Sequence, residues 1–315
     1  MLPLQVTHAK PGSALISCLN VIVPKASYPL SELTEMEYGS KPVDGGRLLL
    51  TSTERDSLPL TVSQFATFVR RFVGAEEVIN GTLRYCLWIE DPNLMEAQSI
   101  LEISERIAHV KKIRLESPKK ATVKLAAHPH RFGEIRRPGI HHTIVAPVTF
   151  SETRQYFTAD LIDRRTIASA TAFCLYDAPL WNFAALSSRI FLIWLASVGG
   201  KLETRYRLTN TVVWNTFPIP PLTEKNRADL TGCAEDILLA REAHFPATIA
   251  DLYDPDNMPH DLREAHERND EVLERIYIGR RFRNDTERLE KLFELYTKMT
   301  AEQGTSKKKG TGGRA

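Results

Sequence analysis

The chain has 315 residues, of which 43% are hydrophobic and 25% are charged, a composition typical of soluble globular proteins. Its four cysteines stand far apart with no Cys-x-x-Cys pair, which argues against a disulfide framework and against a zinc knuckle. The sequence shows no signal peptide, and its most apolar run, residues 190–200, is too short to span a bilayer, so we expect a cytoplasmic protein with no membrane partner.

The net charge of +2 conceals two blocks of opposite sign. Residues 104–165 carry 13 Lys or Arg and 6 Asp or Glu, a balance of +7, whereas residues 224–303 carry 12 and 19, a balance of −7. The acidic block is typical of solvated helix faces. The basic block indicates a surface for an anionic partner, with arginines that are simply exposed as the alternative.

A turn over residues 41–46 follows a proline-rich stretch, residues 1–38, which we interpret as a linker. Proline fixes one φ angle in this turn, and Gly45 and Gly46 allow positive φ, so the chain should reverse before a strand over residues 47–51. The turn is either purely structural or also binds a phosphate through Lys41 and its backbone amides.

Apolar spacing and helix-start residues predict the elements that follow. Up to residue 175 they are a helix over residues 62–73, a strand over 82–89, a helix over 91–114, and strands over 122–127, 141–148 and 166–175. After that they are a buried helix over 177–199, a proline connector over 217–221, helices over 225–242, 261–276 and 284–299, and a disordered tail over 304–315. These patterns predict an α+β fold, with a mixed β domain with inserted helices over residues 39–222 and an all-α helical domain over residues 223–303.

The sequence shows none of the catalytic or cofactor-binding motifs that we considered. No Gly-x-Gly follows a strand, and the Pro220-Pro221 pair lies between apolar residues that offer no polar acceptor. The four histidines between residues 128 and 142 have no acidic or cysteine partner at ligand spacing, so we interpret them as loop or DNA-facing residues. We therefore expect no catalytic residue, no cofactor and no metal in this chain.

Arginine, glutamate and aromatic side chains alternate within the basic block. Arginine reads guanine bidentately and glutamate accepts a hydrogen bond from cytosine, whereas lysines contact phosphates without reading sequence. The candidate DNA-facing residues in turns and strands are Arg131, Glu134, Arg136, Arg137, His141, His142, Glu152, Arg154, Tyr156, Arg164 and Arg165. The candidate phosphate contacts are Lys41, Lys111, Lys112, Lys119, Lys120 and Lys124. The predicted partner is double-stranded DNA.

Six motifs occur in a fixed order between about residues 31 and 300. They are Gly-Ser-Lys-Pro-x-Asp-Gly-Gly at 39–46, Arg-Tyr-Cys-Leu-Trp-Ile at 84–89, Arg-Phe-Gly-Glu-x-Arg at 131–136, Ser-Glu-x-Arg-x-Tyr at 151–156, Gly-Gly-Lys-Leu-Glu-x-x-Tyr-Arg at 199–207 leading to Asn-Thr-Phe-Pro at 215–218, and Leu-Tyr-Asp-Pro-x-x-Met-Pro at 252–259 with Leu-Arg-x-Ala-His at 262–266. On these motifs the chain resembles the target-recognition and C-terminal regions of the MmeI-like DNA adenine methyltransferases, which are fused restriction-modification enzymes.

The resemblance implies that residues 39–222 form a target-recognition domain for an asymmetric DNA site, with the C-terminal helices packed beside it. It implies that Arg131, Glu134, Arg136, Glu152 and Arg154 lie near DNA. In the family a catalytic domain that uses S-adenosylmethionine precedes the linker, and we expect that domain to be absent here. The family's Ser-Ser-Glu-Arg-Arg reads Phe-Ser-Glu-Thr-Arg at residues 150–154, one arginine short.

Three hypotheses follow from these observations. The leading one is a DNA specificity module that fixes the register so that a catalytic partner, encoded separately or lost by truncation, can flip the adenine. The alternative is one half of a split adenine methyltransferase that is active only with a separately encoded catalytic subunit. The third is a protein-interaction module whose basic block faces an acidic partner.

Overall fold

A computed structural model describes residues 21–136 and 138–311, with side chains through residue 302. Residues 1–20, which hold much of the predicted linker, as well as Arg137 and residues 312–315, lie outside the described residues. The chain divides into two compact units. The sheet unit comprises Glu37–Pro147 and Asp160–Asp177, and the helical unit comprises the described residues up to Met36, Val148–Ala159 and those from Ala178 onward.

The strands are short. In chain order they are β1 (Glu37–Tyr38), β2 (Leu49–Leu50), β3 (Val69–Val73), β4 (Tyr85–Leu87), β5 (His142–Pro147), β6 (Thr149–Phe150), β7 (Asp160–Asp163), β8 (Ile167–Ala168), β9 (Ala172–Tyr176), β10 (Gly200–Leu202) and β11 (Arg205–Arg207).

The helices lengthen toward the C-terminal end of the chain. They are α1 (Ser52–Asp56), α2 (Val62–Phe68), α3 (Ala75–Asn80), α4 (Leu94–Ser99), α5 (Leu101–Leu115), α6 (Lys120–Lys124), α7 (Trp181–Leu186), α8 (Arg189–Val198), α9 (Glu224–Ala243), α10 (Ile249–Leu252), α11 (His260–Ile278) and α12 (Asp285–Thr311). Short 3-10 helices cover Asp91–Asn93 and Leu125–Ala127, and a π-helical turn covers Asn210–Trp214. This arrangement confirms the predicted α+β class with a helical C-terminal part.

Within the described residues, the sheet unit holds two four-stranded sheets, in the orders β1-β9-β5-β7 and β2-β4-β3-β8. Neighbouring strands are antiparallel except β3 and β8, which run parallel with Phe72 opposite Ile167. Helix α5 contributes Ile103, Ile107 and Val110 to the core that also contains Phe72. This parallel pair brings the segment that leads into Ile167 next to strand β3.

Several predicted elements of the sheet unit are confirmed in shorter form, and two are wrong. The predicted helix over residues 62–73 ends at Phe68, and the chain continues directly as strand β3. Val69, Phe72 and Val73 are β-branched or aromatic, so pairing with β4 and β8 overrides the helical spacing. The strand predicted over residues 122–127 is α6 and a 3-10 helix, in a segment rich in the good helix formers Lys, Ala and Leu.

Two long predicted helices are interrupted. The helix predicted over residues 91–114 breaks at Ile100, whose backbone is extended at φ −92° and ψ 114°. The helix predicted over residues 177–199 breaks before α8, where the Ser188 hydroxyl accepts a hydrogen bond from the Phe191 amide at 3.2 Å and caps a new helix. In both cases the apolar periodicity continues across a short break, which is Ile100 in the first helix and Ser187 with Ser188 in the second.

The helical unit packs α7 against α9, and α9 against α11, while α12 lies on α8. Trp194 is fully buried there, and its ring nitrogen donates to the Val213 backbone oxygen at 3.1 Å. A three-stranded sheet in the order β10-β11-β6 places Thr149 opposite Arg207. No helix in the described part of the chain is long and apolar enough to cross a membrane.

Helices α9, α11 and α12 match the predicted C-terminal helices, and the backbone of α12 is helical from Asp285 through Thr311. The disordered tail expected from residue 304 stays a prediction. The helical unit continues across residue 222, because α7 packs on α9 across that position.

Candidate nucleic-acid interface

The turn over residues 41–46 is joined to the basic loop over residues 128–136. The Lys41 amide donates to the Glu134 oxygen at 2.9 Å, and the Glu134 amide donates back to the Lys41 oxygen at 3.0 Å. The Gly133 amide donates to the Pro42 oxygen at 2.8 Å. Two motifs that are about 90 residues apart in sequence therefore form one antiparallel pair, with the side chains of Lys41 and Glu134 exposed.

The buried Asp44 side chain stabilises the turn through hydrogen bonds to its backbone. Its carboxylate accepts hydrogen bonds from the amides of Gly46, at 3.0 Å, and Leu48, while Gly45 and Gly46 have φ of 63° and 84°. The positive φ angles confirm the turn. The Gly46 and Leu48 amides therefore already have an acceptor and are not available to a phosphate, whereas the Lys41 side chain is exposed.

Arg114 is buried beneath the turn and the loop. Its guanidinium donates to backbone oxygens of both segments, at 2.7–3.0 Å: those of Pro42, Val43, Leu125, His128 and Arg131. Burial lowers the pKa of this guanidinium. Arg114 was not among the candidates selected from the sequence; its side chain is only 1% exposed, and its hydrogen bonds hold the turn and the loop together.

Two of the candidate arginines are held by carboxylates. Arg131 and the buried His130 share Asp91, with Nε of Arg131 at 2.6 Å and Nε2 of His130 at 2.8 Å from Oδ1. Arg136 lies 3.2 Å from a carboxylate oxygen of Glu37. Burial, and secondarily His128, lowers the pKa of His130, so the neutral ring donates to Asp91. These pairs orient Arg131 and Arg136 while each side chain stays partly exposed.

Arg164 and Arg165 occupy the exposed turn between β7 and β8. Next to them lie Arg70 and Arg71 of β3, which sequence analysis missed because it placed both residues in a helix. A cleft of about 860 Å³ is lined by Arg70, Arg131 and Arg164 together with Trp88. The pairing of β3 with β8 brings these arginines together, and the sequence pattern does not predict that pairing.

The candidate lysines lie at the end of α5 and around α6. Lys111, Lys112, Lys119, Lys120 and Lys124 are all exposed, and Lys112 is 4.0 Å from the carboxylate of Glu116. Such solvated cations suit phosphate contacts that position a duplex. Lys120 and Lys124 lie in helix α6, where we predicted a strand over residues 122–127, and their side chains are nevertheless accessible.

The His141 and His142 segment is held by its backbone. The Asp177 carboxylate accepts hydrogen bonds from the amides of Ile140, His141 and His142, at 2.7, 2.7 and 3.4 Å, and these bonds lower its pKa, that from His141 most. The His141 side chain is exposed, whereas that of His142 is half-buried. Within the described residues no cluster of His, Cys, Asp or Glu is suited to a metal ion.

Glu152, Arg154 and Tyr156 belong to the helical unit. Glu152 is exposed and its pKa is lowered, first by a hydrogen bond from the Thr204 hydroxyl and then by backbone and nearby cationic groups. Arg154 is half-buried, and burial lowers its pKa. The β10–β11 hairpin adds cationic side chains that sequence analysis missed: Lys201, Arg205 and Arg207.

The prediction that Tyr156 faces DNA is wrong. Its side chain is 7% exposed and stacks on His266, with ring centroids 4.2 Å apart and planes 18° from parallel. The residue therefore belongs to the core of the helical unit and is not available to a nucleic acid. Arg137, the remaining candidate, lies outside the described residues.

Comparison with known proteins places these features in a family. The family model for the MmeI target recognition domain matches residues 17–221, and that for the MmeI C-terminal domain matches residues 222–303. DNA methyltransferase A of Bacillus subtilis (strain 168) is 37% identical over 281 residues, which cover 89% of this chain and 32% of that protein.

A solved structure shows the same similarity. The Type IIL restriction-modification enzyme MmeI in complex with DNA superposes with a TM-score of 0.84 and 35% identity, covering 90% of this chain and 38% of that chain. The present chain thus spans about a third of the length of the curated relative and of this structure. The chain belongs to the MmeI family and carries its target recognition domain followed by its C-terminal domain.

Proposed function

We propose that the chain is a sequence-specific double-stranded DNA recognition module of a site-specific DNA adenine methyltransferase of a restriction-modification system. The observation that carries the proposal is the similarity, over most of the chain, to MmeI solved in complex with DNA. A shared fold at this level of identity supports a shared class of partner. The exposed cationic side chains of both units supply the charge that such a partner requires.

The exposed candidates divide into two roles. Lysine ammonium groups are point charges that attract phosphates without distinguishing bases, and this role fits Lys41, Lys111, Lys112, Lys119, Lys120 and Lys124. Oriented arginines and neighbouring carboxylates can distinguish guanine and cytosine in the major groove. This second role fits Arg131, Glu134, Arg136, His141 and His142 of the sheet unit, and Glu152 and Arg154 of the helical unit.

Adenine methylation requires S-adenosylmethionine, and we assign no residue of this chain to its binding. We place the S-adenosylmethionine site in a methyltransferase domain that works with this module, either on the same polypeptide or as a separately encoded subunit. In that arrangement the present residues bind and orient the duplex, and the methyltransferase domain receives the flipped adenine. The test of this part is co-purification of the chain with such a subunit and recovery of methyl transfer on mixing.

DNA recognition is tested by repeated selection of duplexes from a randomised pool on the purified chain. We expect one asymmetric sequence to be enriched and its affinity to fall steeply as salt rises from about 50 to 200 mM. Added S-adenosylmethionine should leave the affinity unchanged. Retention of heparin without retention of any duplex would contradict the proposal and favour an acidic protein partner.

A further inference from the structure

Four arginines from two distant parts of the chain line two clefts of the sheet unit, Arg70 and Arg164 in one and Arg70, Arg71 and Arg165 in the other. The parallel register of β3 and β8 sets Phe72 opposite Ile167 and Val73 opposite Ala168, and the turn before β8 brings Arg165 close enough to Arg70 for the two charges to interact. Their chain neighbours Arg71 and Arg164 extend the group to both sides. We call Arg70, Arg71, Arg164 and Arg165 the arginine cluster.

The four arginine side chains of the cluster are not neutralised by carboxylates in contact with them within the described residues. Within the described residues none of its four side chains forms an ion pair with a carboxylate. The nearby carboxylate of Asp163 is used by its own turn, where it accepts from the Arg165 amide at 3.0 Å and the Thr166 hydroxyl at 2.7 Å. Glu90 stands on the rim of the adjoining cleft and offsets part of the charge.

Arg70 shows the consequence of this crowding. Burial lowers its pKa, and the neighbouring charge of Arg165 lowers it further. Its guanidinium is anchored by donation to the backbone oxygens of Ala66 and Val69. Like charges at this spacing cost free energy unless an anion lies between them, so the arrangement is suited to binding one.

The arginine cluster lines two clefts on the surface of the sheet unit. Arg70 lines both the 860 Å³ cleft and a second cleft of about 380 Å³, which also contains Arg71 and Arg165. At the far wall of the second cleft, Arg55 lies 4.8 Å from the ring centroid of Tyr85 and is held there by a cation–π contact. Planar, oriented guanidinium groups on an open concave surface match the oxygens of phosphodiesters.

We propose that the arginine cluster binds backbone phosphates of duplex DNA and positions the recognition domain without reading its sequence. The proposal rests on the proposed function, because it assumes that DNA is the partner, and it adds a contact surface that includes Arg70 and Arg71, which were not among the candidates selected from the sequence. The phosphates lie at the rim shared by the two clefts.

The test compares the salt dependence of affinity for a random-sequence duplex between the full chain and its variants. Arg71→Gln combined with Arg165→Gln removes two charges from side chains that form no hydrogen bond with the described protein. We expect the slope of log Kd against log salt to fall by roughly 2, about one per lost phosphate contact. Arg71→Lys with Arg165→Lys keeps both charges and should keep the slope.

Arg275→Gln is the matched control, because it removes an exposed arginine of α11 that is already paired with Glu271. Arg164→Gln is a second cluster variant, for use if the double variant has a lowered thermal unfolding midpoint. A reduced slope with the same enriched sequence after selection supports the cluster as a phosphate site. An unchanged slope in folded cluster variants overturns it while leaving DNA recognition intact.

Two further outcomes separate this inference from the proposed function. If the wild-type chain binds no duplex, both fail. If the cluster variants change which sequence is enriched, the cluster reads bases and the positioning role is overturned, whereas DNA recognition stands.

Discussion

The Arg114 guanidinium donates to the backbone oxygen of Arg131 at 2.7 Å, so the buried arginine orients the loop that carries the exposed one. The same side chain also donates to the Pro42 oxygen at 2.9 Å in the turn. A buried cation is costly to desolvate, but carbonyl oxygens surround this one and accept its hydrogen bonds. Arg114 therefore adds a buried link between the turn and the basic loop to the direct backbone hydrogen bonds between Lys41 and Glu134.

Replacing Arg114 with Met should destabilise the sheet unit by about 3 kcal/mol or more, because several buried carbonyl oxygens lose their donor. Arg114→Lys should recover only part of this, since an ammonium has three donors and cannot reach all the acceptors. The measurement is the free energy of unfolding in urea. Arg106→Met is the control: Arg106 lies on the same helix and also donates to backbone oxygens, but it is partly exposed, so we expect a loss of about 1 kcal/mol. Equal losses for the two variants would contradict the role of Arg114.

The sequence predicts the helices of the C-terminal part well because each has an apolar stripe and a start residue, as Thr223 and its capping box show for α9. It does not predict β3, because residues 69–73 become a strand by pairing with β4 and with β8, and β8 lies far along the chain. Arg70 and Arg71 were missed as DNA-facing residues for that reason. Tyr156 was misassigned because its partner His266 is 110 positions away, and spacing alone cannot show that contact.

Gly39, the first residue of the turn motif, has no room for a side chain. A Cβ there would lie 2.4 Å from the Ser169 oxygen and 2.6 Å from the Ala168 oxygen, and both are backbone atoms that cannot rotate away. We expect Gly39→Ala to lower the free energy of unfolding by about 1–3 kcal/mol. Gly232 in α9 has open space around a Cβ, so Gly232→Ala should instead stabilise the chain by about 0.5–1 kcal/mol. A neutral Gly39→Ala variant would show that the backbone near Ser169 yields easily.

His266 is buried in a hydrogen-bonded chain that requires its neutral form. Its Nδ1 lies 3.2 Å from the Ser187 oxygen, which can only accept, so Nδ1 carries the proton. Nε2 then accepts from the Tyr253 hydroxyl at 2.6 Å, and that hydroxyl accepts from Arg241. Burial, and then Arg241, lowers the pKa of His266 well below its ordinary value.

A lowered folded-state pKa means that the unfolded chain takes up this proton first. The stability that neutral His266 contributes is therefore present above about pH 6.5 and is lost as pH falls below that value. The stability difference between wild type and His266→Gln should shrink by roughly 1 kcal/mol per pH unit in that range. Urea unfolding at about pH 7.5, 6.5 and 5.5 measures it. A difference that is constant with pH would show that His266 does not titrate differently on folding.

Asp270 has the opposite dependence. Its carboxylate accepts from the Arg189 amide at 2.7 Å at the start of α8, and burial raises its pKa to about 7. Because the unfolded pKa is lower, the folded chain holds this proton more tightly, and the associated stability is lost as pH rises from about 4 to 7. Asp270→Asn keeps an oxygen acceptor and removes the titration. Its stability relative to wild type should therefore rise with pH over that window, as urea unfolding at several pH values will show, and a flat comparison would place the Asp270 pKa near its ordinary value.

Arg154 and Tyr156 lie two residues apart in one motif, yet the structure gives them different surroundings. Arg154 is half-buried and forms no ion pair within the described residues, whereas Tyr156 is stacked inside the helical unit. If Arg154 reads a base, Arg154→Gln should lower the preference for the enriched sequence over a random duplex by about 5- to 150-fold, the equivalent of 1–3 kcal/mol.

Tyr156→Phe is the matched control for Arg154→Gln, because it retains the ring that stacks on His266 and should leave both affinity and preference unchanged. Lys120→Gln is the contrasting variant: it should weaken binding to all duplexes alike and reduce the salt slope by about 1. Competition binding of the enriched duplex against random duplex measures all three. An Arg154→Gln variant that behaves like Lys120→Gln, weaker on every sequence with its preference intact, would move Arg154 from base reading to phosphate contact.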